Sequence, residues 1–428
     1  MIRATRMQGT EARRRLVIVG NGMATESLIS RLGTDHGWSV RVLGDEPVRH
    51  YNRIMLSPLL GDEIDLDAIT PRDDAWYRAR RVTVSLGKRV VRIDRHRRRL
   101  FCADGERVDY DTLVIATGAR SSMPPLPGVA TLDGVSGFRS LHDVERLRHW
   151  SRARPGARAV VVGAGLLGVE AAVGLRRLGA DVTLVHRRPV LMNRQLDASA
   201  SSLLEAALTA RGIRVRTGCD PKCLLGDTSV SGVEVEEGGV AQTLPADLVV
   251  FATGITPNRE LAQTAGLDCG AGVRVDSALR TSDARVHALG ECCEFQGNTY
   301  GLVAPVQEQA NVLARVLRGQ HARYCDPSLV PRLKVSGLDI HSMGQVEAET
   351  GQQSLWLSDR QAGVYKKLII ENGRLRGALL VGDVRHSQWY FQTHQSDRDV
   401  SALRDVLLTD PSRDDDESTP ADVSVDVA

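Results

Sequence analysis

The 428-residue chain carries 55 lysines and arginines against 53 aspartates and glutamates, and 42% of its residues are hydrophobic. That length predicts about three domains, and a formal charge of +2 gives no basis for nucleic acid or an anionic membrane as the main partner. Seven unevenly placed cysteines exclude a disulfide-stapled scaffold and suit a reducing cytoplasm.

The basic opening "MIRATRMQGTEARRR" has no apolar h-region and no small-residue cleavage site, so no secretory signal is read. The longest apolar runs have strand length, far short of a membrane span, and a cytoplasmic location is expected. "RRLVIVGNGMATESLISRLG" predicts a buried strand, a glycine turn and an amphipathic helix. The turn holds Gly20-x-Gly22, with Thr25 where a third glycine or alanine is usual. Gly20 permits the tight turn, and Gly22 lets backbone approach a pyrophosphate at the helix N-terminus. The β-branched Thr25 weakens this pattern, because it has to fit the helix–strand contact. The next strand, "SVRVLG", runs into Asp45-Glu46, where a carboxylate can accept hydrogen bonds from ribose hydroxyls.

"HYNRIMLSPLLGDE" follows, opening on His50, Tyr51, Asn52 and Arg53, and no cysteine precedes Cys102. "RIDRHRRRLFC" predicts a hairpin with Cys102 as a small buried side chain. Its Arg95, His96, Arg97, Arg98 and Arg99 form either a solvated turn or a docking patch for an acidic electron carrier. "YDTLVIATGAR" then runs a strand into Thr117-Gly118, which would place a glycine beside a cofactor.

The unit recurs in "ARAVVVGAGLLGVEAAVGLRRLGADVTLVHRRP", with Gly163-x-Gly165-x-x-Gly168 between strand and helix. One glycine fingerprint is weak evidence, whereas two in strand–turn–helix–strand context are strong. Two dinucleotides in one chain point to a flavin held permanently and a nicotinamide that exchanges. His186, Arg187 and Arg188 stand where an acid often meets the second ribose. Guanidinium groups without a carboxylate favour a 2′-phosphate, hence NADPH. Arginines after a strand are often merely solvated, so NADH stays open. "ADLVVFATGITPN" repeats the strand into Thr253-Gly254, and "ARVHALGECCEF" runs into Gly290-Glu291. That glycine–acid pair can face a flavin ribityl chain. The helix predicted in "YGLVAPVQEQANVLARVLRG" can direct its N-terminal dipole at negative charge on a reduced flavin. Cys292 and Cys293 come next to that pair, but vicinal cysteines chelate metals poorly without other ligands. Cys219 and Cys223 are spaced like half a metal site with no second half, and no cysteine quartet suits an iron–sulfur cluster. No metal site is expected.

This order of motifs resembles the FAD- and pyridine-nucleotide-dependent disulfide oxidoreductase superfamily, over roughly residues 15 to 408. "YNRIMLSP", "LMNRQLD", "LGEC" and "YGLVAPVQEQA" are most similar to the flavoprotein half of the assimilatory NAD(P)H nitrite reductase large subunit, and to the electron-transfer subunit of assimilatory nitrate reductase. The resemblance implies an α/β fold with two Rossmann-like nucleotide-binding domains, for FAD and NAD(P), plus a C-terminal α+β interface domain. It implies FAD-binding parts at 1–122 and 270–325, an NAD(P) domain at 123–269 and the interface domain at 331–408. Within the last, Asn372-Gly373 should turn a β-hairpin, and the acidic residues 409–428 should form a disordered tail.

Carried over by position, Gly20, Gly22 and Glu46 would bind the adenosine half and pyrophosphate of FAD, and Arg53 its phosphate. Thr117, Gly118, Gly290 and Glu291 would line the remaining flavin, with Gly254 beside a cofactor. Gly163, Gly165 and Gly168 would hold the nicotinamide dinucleotide, with Glu170 near the nicotinamide end. Pro58 stands where ferredoxin reductases usually carry a lysine, which marks a branch of the family.

The expected activity passes electrons from NADPH or NADH through FAD to a nitrate or nitrite reductase catalytic subunit, or to a small iron–sulfur or rubredoxin carrier. No side chain is needed as nucleophile or general acid. Nitrite reduction unaided is not expected, because this sequence lacks the metal-centre domains of the resembled enzyme. Rival readings are a rubredoxin or ferredoxin reductase outside nitrogen metabolism, an NADH oxidase or disulfide reductase using Cys292 or Cys293, and a non-catalytic redox sensor.

Overall fold

Runs of valine, isoleucine and leucine ending in glycine set the two parallel sheets around which the chain is organised. The computed structural model describes residues 13–326, 332–335 and 338–412. The basic opening to residue 12 and residues 413–428 of the expected tail lie outside them. Two units divide the described chain. The first takes residues 13–59, 64–121 and 254–326, and the second takes 60–63, 122–253 and the C-terminal part.

In the first unit the sheet is parallel throughout, in the order Val286–Ala288, Thr112–Ile115, Arg14–Val19, Trp38–Leu43, Val82–Ser85. Leu16, Ile18, Leu113, Val114 and Ile115 are wholly buried, as continuous apolar runs in a parallel sheet require. Helices Met23–Leu32 and Val303–Leu317 pack together, and the Trp38 indole N–H donates to the Leu317 carbonyl at 3.1 Å.

Strands Val90–Asp94, Arg99–Cys102 and Arg107–Asp109 form an antiparallel meander that contains the predicted hairpin. Arg95 Nε donates to the Ala265 carbonyl at 2.7 Å, and Arg99 makes two hydrogen bonds to the Asp109 carboxylate. Two arginines of this run are therefore engaged within the fold, while His96, Arg97 and Arg98 stay exposed on the turn. Ile255–Pro257 pairs antiparallel with Ala119–Ser121, and helix Glu260–Thr264 packs on Val90–Asp94. Residues 254–269, expected with the nicotinamide domain, consequently group with the first unit.

The second unit repeats the design with a parallel sheet ordered Arg214–Thr217, Asp181–His186, Arg158–Val162, Leu248–Phe251, Val135–Gly137. An antiparallel sheet of Cys219–Gly226, Val230–Glu237 and Val240–Pro245 adjoins it in sequence. Cys219 is buried in the first of these strands. The C-terminal part is a five-stranded antiparallel sheet ordered Arg332–Val335, Leu338–Gly344, Arg374–Val381, Val364–Glu371, Gln353–Asp359. Its hairpin turns at Asn372 (φ 50°) and Gly373 (φ 72°), the left-handed pair of a type I′ turn.

Within this unit Asp197, the last residue of "LMNRQLD", N-caps helix Ala198–Ala210 by accepting the Ala200 N–H at 2.9 Å. Its other oxygen accepts the Tyr365 hydroxyl at 2.7 Å and the Lys367 ammonium at 3.0 Å. Of the expected tail, residues 409–412 are described, and Thr409 and Asp410 both donate to the Val406 carbonyl.

Candidate functional site

Each glycine turn closes against the strand beside it. Gly20 (φ 111°) donates its N–H to the Leu43 carbonyl at 2.9 Å, and a Cβ there would stand 2.1 Å from the Ala116 carbonyl oxygen. Gly163 (φ 103°) does the same with Val185 at 2.8 Å and the Ala252 carbonyl oxygen at 2.6 Å. No side chain fits either position.

The third positions differ. At Gly168 a Cβ would meet the Gly163 carbonyl oxygen at 1.7 Å. In the first turn the matching residue is Thr25, fully buried, whose hydroxyl donates to the Gly20 carbonyl at 2.7 Å. The expectation that Thr25 weakens the motif is therefore corrected. Its hydroxyl uses the close approach that elsewhere demands glycine.

Gly22 and Gly165 N-cap the two helices with no side-chain cap, and nothing stands within 4 Å of a Cβ built on either. The first-turn N–H groups are left for an anion. Both amide atoms of Asn21, inside the first turn, are buried and have no partner among the described residues. Orphaned polar atoms beside open helix N-termini fit a dinucleotide pyrophosphate.

Glu46 and Arg53 come together. Arg53 Nη2 donates to Glu46 Oε1 at 2.7 Å, and the Tyr51 hydroxyl donates to Oε2 at 2.8 Å. The carboxylate read as a ribose acceptor and the guanidinium read as a phosphate donor thus orient one another. Nearby His50 is buried, and burial outweighs the pull of Glu26 to bring its pKa down to about 4.

Thr117 and Gly118 are fixed by a residue the sequence reading missed. Asn258 donates its backbone N–H to the Gly118 carbonyl and its amide to the Thr117 carbonyl, both at 2.9 Å, and accepts the Thr117 hydroxyl at 2.7 Å through its own carbonyl. The signal was the asparagine ending "GITPN". Gly118 (φ 63°) lies by Glu291, whose Oε2 would be 4.0 Å from a Cβ there. Gly290 donates its N–H to Oε1 of the buried Gln309 at 2.8 Å, which ties the Gly290-Glu291 turn to helix Val303–Leu317. Gln309 too was missed, although it sits in the quoted "PVQEQA".

Behind that turn Cys292 and Cys293 are wholly buried. Burial pushes both thiols up in pKa, that of Cys293 well up. A sealed, protonated sulfur is poorly suited to redox exchange.

At the second turn the Ala164 N–H donates to His186 Nδ1 at 3.3 Å, and Nε2 lies 3.4 Å from the Asn193 amide oxygen. Both contacts suit the neutral ring protonated on Nε2, and burial lowers its pKa. The imidazole is thereby committed to the glycine turn. Arg187 and Arg188 project as exposed charges without an ion-pair partner among the described residues. Glu170 lies in helix Leu166–Arg177. Gly254 (φ 123°) has open space around it, and the preceding Thr253 hydroxyl donates to the Ser122 carbonyl at 2.8 Å. Among the described residues no group of three or more His, Cys, Asp or Glu is placed to hold a metal, and no helix is long and apolar enough to cross a membrane.

The family model for pyridine nucleotide-disulphide oxidoreductases matches residues 14–311, and that for the rubredoxin NAD+ reductase C-terminal domain matches residues 330–396. The chain is 36% identical over 399 residues to an assimilatory nitrate reductase electron transfer subunit of Bacillus subtilis (strain 168), covering 92% of this chain and 51% of that protein. It is 34% identical over 403 residues to a nitrite reductase [NAD(P)H] of the same organism, covering 93% and 49% respectively. The chain thus spans about half the length of these curated relatives. Among solved structures, the covalent putidaredoxin reductase–putidaredoxin complex superimposes with a TM-score of 0.79 at 25% identity, covering 94% of this chain and 98% of the other.

Proposed function

The chain belongs to the pyridine nucleotide-disulphide oxidoreductase family, an FAD- and NAD(P)H-dependent class of oxidoreductases, and from that premise we propose that it relays electrons from NAD(P)H to a separate metal-centre partner in nitrate or nitrite assimilation. The observation that carries the relay reading is the sealing of Cys292 and Cys293, which leaves no accessible thiol at the Gly290-Glu291 turn. The relatives in nitrate and nitrite reduction support the pathway.

The chemistry FAD supplies when bound is acceptance of a hydride from NAD(P)H and onward release of electrons. The chain's own residues hold and orient. The N–H groups after Gly22, together with Asn21, would bind the FAD pyrophosphate. Glu46, set by Tyr51 and Arg53, would hold the ribose, and Gly118, Gly290 and Glu291 would line the rest. Gly163, Gly165 and Gly168 would hold the nicotinamide dinucleotide, with Glu170 toward its nicotinamide end. Arg187 and Arg188 would receive a 2′-phosphate, which favours NADPH.

The test is an anaerobic absorbance titration of the purified protein with NADPH, then NADH. Smooth bleaching without a long-wavelength thiolate-to-flavin band is expected, with NADPH the better donor. That band would place a cysteine against the ring and sink the relay reading. A second reading, a rubredoxin or ferredoxin reductase outside nitrogen metabolism, is favoured by the C-terminal family match. Turnover with a nitrate reductase catalytic subunit against turnover with rubredoxin separates the two.

A further inference from the structure

We infer that the first unit carries a second anion site, at the opposite strand ends from its own glycine turn, that binds a multiply charged phosphate of the pyrophosphate class. A groove of about 560 Å³ is lined by Arg13, Arg14, Arg15, Arg98, Asp111 and Arg285. Arg14 opens strand Arg14–Val19, Asp111 immediately precedes Thr112–Ile115, and Arg285 immediately precedes Val286–Ala288. The groove therefore lies at the N-terminal ends of three neighbouring parallel strands, whereas Gly20 follows the C-terminal end of Arg14–Val19. Six residues of strand separate the two edges by about 17 Å.

Five arginines face one aspartate, and that aspartate is already occupied. Asp111 accepts the Arg15 backbone N–H at 2.7 Å, its Nε at 3.2 Å and its Nη2 at 3.1 Å. Arg13, Arg14, Arg98 and Arg285 are exposed and have no carboxylate partner among the described residues. Two of them are positioned by the fold. Arg14 stacks over the Trp38 ring at 4.4 Å, and Arg98 holds a left-handed turn (φ 52°) whose carbonyl accepts the Tyr110 N–H at 3.0 Å.

Gathering like charges in a concave site is unfavourable unless an anion neutralises them. Rigid guanidinium forks suit phosphate oxygens in pairs, so a multivalent phosphate is the ligand whose charge and geometry match. Spanning the hairpin turn and three strand starts, such a ligand would bind the folded state alone and stabilise it.

The experiment is calorimetric titration of inorganic pyrophosphate into the FAD-loaded full chain saturated with NADP+, so that nucleotide phosphates fill the glycine turns. One saturable event is expected, weakening as salt rises. Arg98→Gln/Arg285→Gln should lower the affinity at least about tenfold, a single bidentate contact's worth, while FAD retention and NADPH-dependent ferricyanide reduction in pyrophosphate-free buffer stay unchanged. Absence of a saturable event, or unaltered affinity in that variant, would overturn the proposal. So would loss of binding in Arg187→Ala/Arg188→Ala alone, which would assign the anion to the nucleotide site.

Discussion

Replacing Asp197 by alanine tests how the second unit holds its C-terminal sheet. The carboxylate is 6% exposed and serves three donors: the Ala200 N–H, the Tyr365 hydroxyl and the Lys367 ammonium. Loss of the helix cap costs about 1 kcal/mol. The Tyr365 hydroxyl, left inside without an acceptor, costs about 1–3 kcal/mol. Breaking a buried ion pair from one side costs roughly 3–5 kcal/mol, but Lys367 keeps Glu347 at 2.9 Å, whose side chain is 71% exposed. These losses share atoms and do not add in full, so about 3–5 kcal/mol is expected. Asp197→Asn, which keeps an acceptor oxygen and removes the charge, should cost about 1–2 kcal/mol. Glu347→Gln should cost under about 1 kcal/mol, because that pair is solvated.

Amide hydrogen exchange reads this locally. Helix Ala198–Ala210 and strand Val364–Glu371 should exchange at least about 100-fold faster in Asp197→Ala. Burial pulls the Lys367 pKa down, but Glu347 and Asp197 outweigh it and raise it overall from its ordinary 10.5. Folding therefore binds the proton more tightly, and the pair's contribution persists below that pH and fades as pH rises through the folded value. The difference between wild type and variant should be constant from about pH 6 to 9. Unchanged exchange in Asp197→Ala, or an equal effect from Glu347→Gln, would refute the reasoning.

Further predictions concern the cofactor turns and acid stability. Thr25→Val removes the hydroxyl bond to Gly20 at nearly constant volume and should cost about 1–3 kcal/mol, read as faster FAD loss on dilution and a lower melting temperature. Gly168→Ala drives a methyl into the Gly163 carbonyl, and should abolish nicotinamide binding by calorimetry while the protein still purifies yellow. Arg187→Ala/Arg188→Ala should lower kcat/KM for NADPH by about 10- to 30-fold and leave that for NADH nearly unchanged, at about 1 kcal/mol for each exposed guanidinium–phosphate pair. Burial lowers the pKa of both His50 and His287 from an ordinary 6.5 to about 4. Protonation thus favours the unfolded chain, and stability is full above about pH 6.5 and falls toward pH 4 by up to about 3 kcal/mol for each residue. Urea midpoints between pH 7 and 4.5 measure it, and His287→Asn should flatten the decline.

The two glycine turns were legible because their constraint is local: strand, tight turn and helix occupy consecutive residues, and backbone contact forbids other side chains at Gly20, Gly163 and Gly168. The turn at Asn372-Gly373 was legible for the same reason. Thr25 was misjudged because the glycine rule concerns shape, and a hydroxyl reaching the Gly20 carbonyl solves the same problem chemically. Asn258 and Gln309 were overlooked because their partners, Thr117 and Gly290, are assembled by strand pairing and helix packing across long stretches of sequence. The "LMNRQLD" stretch stood out in the sequence, yet its Asp197 serves Tyr365 and Lys367, a link no local pattern encodes. The arginine run in the hairpin left two readings open, a solvated turn or a docking patch, because the acceptors of Arg95 and Arg99, Ala265 and Asp109, are supplied by other elements of the fold. The return of the chain at residue 254 came earlier than expected because Ile255–Pro257 pairs with Ala119–Ser121.

The cysteines, graded from the wholly sealed Cys219, Cys292 and Cys293 through the half-covered Cys223 and Cys269 to the exposed Cys325, form an internal clock for opening of the chain. A thiol reagent should mark Cys325 at once. Cys219 reports breathing of the second unit, and the Cys292–Cys293 pair reports opening of the first. Cofactor loading can then be followed as a change in the order in which sulfurs become reactive, without any spectroscopic signal from the cofactor itself.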